Sequence, residues 1–571
     1  MAQKPDTSSE NRSGMLRDLK RNRTTHRFLL LVLMGFLLLL PGRASIPPFD
    51  RDEPRYMQAT AQMLETANFI DVRFQDKPRY LQPAGIYWLE ALAVSASGTL
   101  KDRAVWAYRV PSLLAMTASI GLTVWIGSML FGPVTGLFAG ALFGTSVLAM
   151  AEGRMATIDS TLLLTIVLAQ LILVSVAQDR EKNRATSCPK IVLFWATLGC
   201  GLMLKGPVVL IPGLGTPLAF ALINRDKSWI GRLRVSWGWL IMLAIVVPWC
   251  IAIGMVSHGE FFQRAVGRNF LGKIGHGQEA HGAPPGFHLA VFALAFWPGS
   301  FFAVASLPFI WMRKRSWQVK FLLCWIVPHW IVFECIATKL PHYVLPTYPA
   351  IAILTAFALC RPQEKWIWPN NRWLYRGTVV YGLVCFLIGV VLSFSGIALN
   401  IALKESIPFQ AWFLPVASLP LLIVALRCVL NGDLKNAAMS AMAAAATIYL
   451  ILFSSIIPGL RPIWLAPRLA VMVERHASCP NPEVVSSSFS EPSLVFLMRG
   501  KVILDTPEVA AATLSSNPSC GMALIAQKDF PKFLTASNGY KLHLKQYEHT
   551  IGFNYSTGKW LDIGLYGVGA Q

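Results

Sequence analysis

The sequence predicts a polytopic α-helical membrane protein: about thirteen transmembrane helices, interfacial amphipathic helices and a small C-terminal α/β domain. Three observations predict it. Of 571 residues, 54 % are hydrophobic and only 14 % charged, and the mean hydropathy is +0.49. That is more apolar surface than a soluble chain of this length can hide. The apolar residues also fall in long runs, as membrane spans require. Finally, Lys and Arg outnumber Asp and Glu by 51 to 30, a net charge of +21, and they concentrate in alternate connecting segments, as the positive-inside bias demands. Disorder, collagen and a small disulfide scaffold are excluded. In this class the excess charge implies no nucleic-acid partner; it serves orientation, anionic-lipid contact or an anionic substrate.

Residues 1–27 form a basic cytoplasmic leader, and residues 28–458 the transmembrane region. The first apolar core, 28–40, is short enough for a signal-peptide h-region, but the many later spans favour an uncleaved first helix ending near Pro47. The other spans are read at about 109–130, 133–151, 160–177, 191–204, 206–223, 237–256, 288–311, 321–337, 343–360, 377–398, 412–430 and 437–458. The split at Lys205 is the loosest boundary. With a cytoplasmic N-terminus, the inside loops hold Arg180/Lys182/Arg184/Lys190, Arg225/Lys227/Arg232/Arg234, Arg313/Lys314/Arg315/Lys320 and Arg361/Lys365/Arg372/Arg376. An odd number of spans places residues 459–571 outside, as an exoplasmic α/β domain. There 493–498, 502–504 and 522–525 read as strands, 507–514 as a helix, and 553–562 as a turn-linked hairpin. Cys479 and Cys520, the only cysteines of this tail, are either a disulfide or two separate buried thiols.

The outside loops carry the chemistry. The first, 43–82, contains Asp50-Arg51-Asp52-Glu53-Pro54-Arg55-Tyr56, followed by a helical pattern with Tyr56, Thr60, Met63 and Ala67 on one face. Pro54 in a first turn with Asp52 before it fits a helix start, so Asp52 reads either as a cap or as a base beside a phosphate clamp formed by Arg55. The second segment, Lys77-Pro78-Arg79 to Gly85-Ile86-Tyr87-Trp88, pairs basic residues with interfacial aromatics. The third, Glu152-Gly153-Arg154 to Asp159, opens an apolar helix, where Asp159 either caps it or faces an aqueous cavity. The fourth is a Gly-rich loop with Arg264, Arg268, Asn269, Lys273, His276, Glu279, His281 and His288. Its His281 and Glu279 are candidate ligands of a divalent metal, although the spacing matches no tight motif. The fifth is Thr338-Lys339-Leu340-Pro341-His342-Tyr343.

Asp52-Glu53-Pro54-Arg55-Tyr56, the Pro-Ala-Gly-Ile-Tyr-Trp segment, Arg154…Asp159 and Lys339-Leu340-Pro341-His342-Tyr343…Leu345-Pro346 together resemble the GT-C membrane glycosyltransferases. The nearest branch is the ArnT-like and protein-mannosyltransferase-like bacterial group, over roughly residues 28–360. The resemblance implies a polyprenyl-phosphate-linked sugar as donor, a lipid or glycan acceptor, and transfer at the exoplasmic face of a bacterial inner membrane. It implies catalytic roles for Asp52 and Asp159, and donor-phosphate roles for Arg55 and Lys339, with Lys77 and Arg79 as further phosphate contacts. Glu53, Tyr56, Tyr87, Arg154, Arg268, His342 and Tyr343 are expected to bind substrate. One departure stands out: members of the ArnT-like branch usually place an acidic residue and a lysine where this chain has Leu81 and Gln82. The same hydropathy also fits a flippase of lipid-linked sugars, and a protein acceptor remains an alternative to lipid A. Transfer of aminoarabinose to lipid A is the specific expectation.

Overall fold

The computed structural model describes residues 25–226, 228–272, 282–361, 368 and 371–569. The membrane helices used below are α1 (Thr25–Leu39), α4 (Val110–Phe131), α5 (Pro133–Gly144), α7 (Asp159–Glu181), α8 (Cys188–Lys205), α9 (Leu210–Asn224) and α10 (Val235–Val256). They continue with α11 (Phe287–Ala295), α12 (Ser300–Met312), α13 (Trp317–Cys335), α14 (Tyr348–Leu359), α15 (Arg372–Ala402), α16 (Phe409–Leu430) and α17 (Leu434–Ile451). Between them lie α2 (Glu53–Thr66), α3 (Gly85–Ser97) and the short α6 (Val147–Glu152).

Length and composition alone do not reach the expected count of thirteen spans. Among the described residues nine helices are long and apolar enough to cross, or ten if α11 and α12, bent by 117° at their break, count as one span. Two expected spans are short apolar helices, α1 and α5. Two others, 191–204 and 206–223, belong to one continuous apolar stretch, Cys188–Asn224, that counts once by length. Its interior contacts nevertheless show a reversal. Lys205, at the end of α8, pairs with Asp159 at the start of α7, whereas Asp226, just past α9, pairs with Arg180 near the end of α7. Midway, Gln170 of α7 donates to the Pro212 carbonyl of α9 at 2.8 Å. So α8 runs back along α7 toward Asp159, and α9 follows the second half of α7 in the opposite direction, toward Arg180. The reversal sits at Gly206, whose φ of +63° suits glycine, followed by Pro207, which has no N–H to continue a helix.

The first loop folds back on the bundle. Helix α2 starts at Glu53 after Asp52, and Asp52 makes no side-chain cap bond. Helix α2 is covered by protein on two sides. Tyr56, Ala59 and Met63 pack with Tyr87, Met203 and Trp249; Met57 and Ala61 pack with Tyr108 and Phe496. The second contact comes from the tail.

The tail is a five-stranded sheet of order β4-β3-β5-β7-β6, formed by β3 (Glu483–Ser487), β4 (Val502–Leu504), β5 (Gly521–Ala526), β6 (Leu544–Asn554) and β7 (Lys559–Val568). The first three strands are parallel and the last two join by antiparallel pairing, the expected hairpin. Alternation of side chains divides two cores: Val484, Met522, Leu524 and Ile563 on one face, Val485, Ala523, Ile525 and Tyr566 on the other. Residues 493–498, expected as a strand, instead form most of helix α19 (Pro492–Leu497) when helices α18 (Leu465–His476), α19, α20 (Pro507–Ser516) and α21 (Phe530–Gly539) are counted in order. A short apolar run has no period to distinguish the two; Pro492 at the first helical position and contact with α2 decide it. Cys479 and Cys520 form a disulfide.

The tail grips the first loop directly. The Asp50 N–H donates to the Tyr555 hydroxyl at 2.6 Å, and the Ser493 N–H donates to the Asp50 carboxylate at 3.1 Å. Gln75 donates to the carbonyls of Gly500 and Val502, and Phe49 meets Trp464 edge-on.

Candidate active site

At the end of the bundle that carries the first loop, a cavity of about 410 Å³ opens between α7, α8, α10 and α13. Its walls are mainly apolar, including Leu162, Val246, Trp249, Phe261, Phe333 and Ile336. Its polar groups are Gln82, Asp159, Lys205, Asn269, His342 and Tyr343. The Lys205 ammonium donates to Asp159 Oδ1 at 2.5 Å and lies 5.7 Å from the Tyr343 ring centroid. The helices themselves favour this pair: Asp159 begins α7 and Lys205 ends α8, so each charge faces the helix-dipole end that stabilises it.

Lys205 is the residue that sequence reading missed. The signal was present, since a lysine inside an apolar stretch marks function by default, and Gly206-Pro207 marks the break. In the sequence alone Lys205 marks only the loosest span boundary. Lys205 also bears on the departure at Leu81 and Gln82. Both line the cavity, and Gln82 donates to the Tyr56 hydroxyl at 2.5 Å. The positive charge of the cavity wall is thus carried by α8 and not by the segment before Pro83.

His342 stands between two carboxylates, with Nδ1 3.6 Å from Glu152 and Nε2 3.8 Å from Asp159. Glu152 is buried and also accepts from the Thr157 hydroxyl at 3.0 Å. Burial, and then the negative charge of Asp159, push its carboxyl up to about 8. One donor atom from each of Glu152, Asp159 and His342 lies within 4.8 Å of the others. Two carboxylates and an imidazole fit a divalent ion by donor type, so these three could hold one. Lys205 already neutralises part of the charge. The metal candidates Glu279 and His281 lie outside the described residues.

The remaining expected residues divide by position. Asp52 stays accessible at the α2 start, its side chain 66 % exposed and 3.9 Å from Arg55. Its charge acts on Glu152, Tyr56 and Arg79, which places it on the same side of the bundle as the cavity. Arg79 is buried, donates to the Tyr87 hydroxyl at 2.9 Å and lies over the Tyr56 ring. Tyr56 and Tyr87 therefore form a packed support behind Gln82. Lys77 is exposed on a two-residue ribbon, β2 (Lys77–Pro78), paired with β1 (Arg73–Phe74).

Three expected residues take interior places. Glu53, 2 % exposed, accepts two bonds from Arg109, at 2.7 and 2.9 Å, and the N–H groups of Phe49 and Ala156. It staples the loop to the bundle. Lys339 is buried and caps the end of α13, donating to the Glu334 and Ile336 carbonyls. It does not line the cavity. Arg154 lines a separate, apolar cavity with Gly42, Phe49 and Phe453. Arg268 belongs to the helical turn Gln263–Leu271, but its side chain lies outside the described atoms.

Comparisons with known proteins agree with this architecture. The family described as dolichyl-phosphate-mannose-protein mannosyltransferase matches residues 82–251. An undecaprenyl phosphate-alpha-4-amino-4-deoxy-L-arabinose arabinosyl transferase of Enterobacter sp. (strain 638) is 27 % identical over 421 residues, covering 68 % of this chain and 71 % of its own. A protein of the same name from Pseudomonas aeruginosa is 25 % identical, covering 58 % of this chain and 59 % of its own. Among solved structures, ArnT from Cupriavidus metallidurans bound to undecaprenyl phosphate matches with a TM-score of 0.70 at 18 % identity, covering 95 % of this chain and 98 % of its own. The oligosaccharyltransferase AglB from Archaeoglobus fulgidus matches with a TM-score of 0.51 at 11 % identity, covering 95 % of this chain and 74 % of its own. The chain is a multi-pass membrane protein with the GT-C fold of membrane glycosyltransferases. Its fold is similar to that of ArnT and its sequence to that of the arabinosyl transferases.

Proposed function

We propose that this protein transfers a sugar from a polyprenyl-phosphate donor to a lipid A or related envelope acceptor. The observation that carries the reading is the Lys205–Asp159 pair at the head of an otherwise apolar cavity. An isoprenoid chain suits the apolar walls, and its phosphate suits a lysine in a low-dielectric setting. Lys205 holds the donor phosphate and stabilises the charge that grows on it as the glycosidic bond breaks. Asp159 fixes the ammonium, and His342 and Tyr343 face the sugar. Asp52, accessible beside the cavity, takes the acceptor hydroxyl proton. A divalent ion held by Glu152, Asp159 and His342 would add positive charge beside the phosphate.

The names of the relatives favour 4-amino-4-deoxy-arabinose as the sugar and undecaprenyl phosphate as the carrier. The basic loops Arg180–Lys190, Arg225–Arg234 and Arg313–Lys320 lie at the bundle end opposite the cavity, which the positive-inside rule makes cytoplasmic. The cavity and the disulfide-bonded tail then face the periplasm of a bacterial inner membrane.

The test is transfer in proteoliposomes from labelled undecaprenyl-phosphate aminoarabinose to lipid A. Sugar should appear on lipid A, and Lys205→Met should lower turnover by roughly 10²–10³-fold, the usual loss of one preorganised charge contact. Movement of the labelled lipid between leaflets with no sugar transfer would instead make the protein a flippase.

A further inference from the structure

Two fully buried histidines sit beneath the segment that carries His342 and Tyr343, and neither lines the cavity beside Lys205. His288 stands near the start of α11, and His329 lies inside α13. An ionisable side chain within a membrane span is rare enough to mark a role by default. His329 donates from Nε2 to the Tyr343 carbonyl at 2.9 Å, and His288 donates from Nε2 to the Leu340 carbonyl at 3.2 Å. A carbonyl only accepts, so each ring carries a hydrogen on Nε2. Leu340 and Tyr343 bracket Pro341-His342, so the two histidines hold the main chain on both sides of His342.

The segment has few means of holding itself. Residues Pro341–Thr347 form a 3-10 stretch with proline at its first and sixth positions. Such a helix closes its bonds in the i→i+3 pattern, in which residue 346 would answer the Tyr343 carbonyl, and Pro346 has no N–H to give. His329 supplies a donor from the neighbouring helix. Its ring also lies 4.8 Å from that of Phe333, which stands 5.1 Å from the Tyr343 ring and lines the cavity. His288 is fixed in its turn by Glu334. One oxygen of that carboxylate accepts from the Gly286 N–H at 2.9 Å, and the other lies 3.6 Å from His288 Nδ1.

We propose that His329 and His288 are positioning residues: their Nε2–H groups pin the main chain around His342 and so hold its imidazole between Glu152 and Asp159. The kinetic consequence rests on the transferase reading. His342 reaches the two carboxylates at 3.6 and 3.8 Å, so a small shift of its backbone takes it out of reach of both. A displacement of about 1 Å caused by a change far from the chemistry can cost about 10²-fold in rate. A histidine present only to fill space would behave differently. Its loss would weaken the fold without any coupling to His342.

The test uses the full chain in proteoliposomes, with each Nε2 donor removed by leucine or replaced by the amide N–H of glutamine. His329→Leu and His288→Leu should each lower kcat by about ten-fold or more with the donor KM little changed, and His329→Gln and His288→Gln should recover most of the loss. In a His342→Ala background the same leucine changes should cost about two-fold or less, because the group they position is gone. Hydrogen exchange across 342–345, read without substrate, should quicken in the leucine variants and stay slow in the glutamine variants. Equal losses with and without His342, glutamine no better than leucine, or unchanged exchange across 342–345 would each overturn the assignment. Exchange needs no turnover. A wild-type protein that transfers no sugar would therefore count against the transferase reading, while exchange still decides whether the histidines hold the segment.

Discussion

Asp50 and Asp52 are two residues apart and meet opposite fates. Asp52 faces outward, and Asp52→Asn should abolish transfer while leaving expression, thermal stability and donor binding intact. Turnover retained within about ten-fold would remove it from the role of base. Asp50 is buried against Ser493 and Tyr555, where burial pushes its carboxyl up to about 7 from an ordinary 3.8, with Glu491 adding to the rise. The docked loop therefore binds the Asp50 proton more tightly than an undocked loop does. Its contribution to docking is complete below about pH 4 and is lost as the pH rises through about 7. Hydrogen exchange across 49–52 and 553–556 should quicken between pH 6 and pH 8.5, and Asp50→Asn should flatten that dependence. An unchanged profile in the variant would assign the pH effect elsewhere. Neither role was legible in the sequence, because Asp50-Arg51-Asp52-Glu53 is four charges in a row with no period to sort them. Glu53 is an equally clear case. It looked like a substrate contact, and its partner Arg109 is 56 positions away.

At the scale of elements, the junction of α3 with α8 governs the site. A Cβ on Gly85, the first residue of α3, would stand 2.5 Å from the Met203 carbonyl oxygen and 2.9 Å from its carbon. Backbone packs on backbone there, two residues before Lys205. Gly85→Val must push the helices apart, at a cost of about 1–3 kcal/mol. It should shift the unfolding midpoint and lower turnover by ten-fold or more, because Gln82 and Lys205 move relative to one another. Near-normal kinetics would show that the junction tolerates separation. Helix α2 and the tail strands β4 and β5 were recognisable from caps, apolar runs and turn residues. The 188–224 stretch was harder: hydropathy sees an apolar run, whereas the reversal at Gly206 is fixed by partners on α7. Helix α19 is ambiguous in sequence for the same reason, since its apolar run is resolved only by docking on α2.

For the whole molecule, the tail acts as a brace on the first loop. Its disulfide closes a segment with a sequence separation of 41 residues, for which chain entropy gives roughly 2–4 kcal/mol of stabilisation. The paired change Cys479→Ser and Cys520→Ser should lower the unfolding temperature of the tail. It should also raise hydrogen exchange in 49–58, because Tyr555, Ser493 and Val502 hold that loop and its neighbour Gln75. A tail that loosens while the loop stays protected would limit the tail to a bystander.

Composition and the order of charges along the chain already make this a polytopic membrane protein. Hydropathy and the alternation of Lys and Arg are local properties that add along the chain, so no partner is needed to read them. Which of the many charges face a cavity is set by contacts between distant helices. Lys205 and Asp159 lie 46 positions apart, and their meeting depends on helices that reverse at Gly206. Glu53, Lys339 and Arg154 carry the same chemistry in the sequence but are held by a guanidinium, helix-end carbonyls and a second cavity. In a low-dielectric interior the role of a charge is set by the groups around it, and those groups are assembled only by the fold.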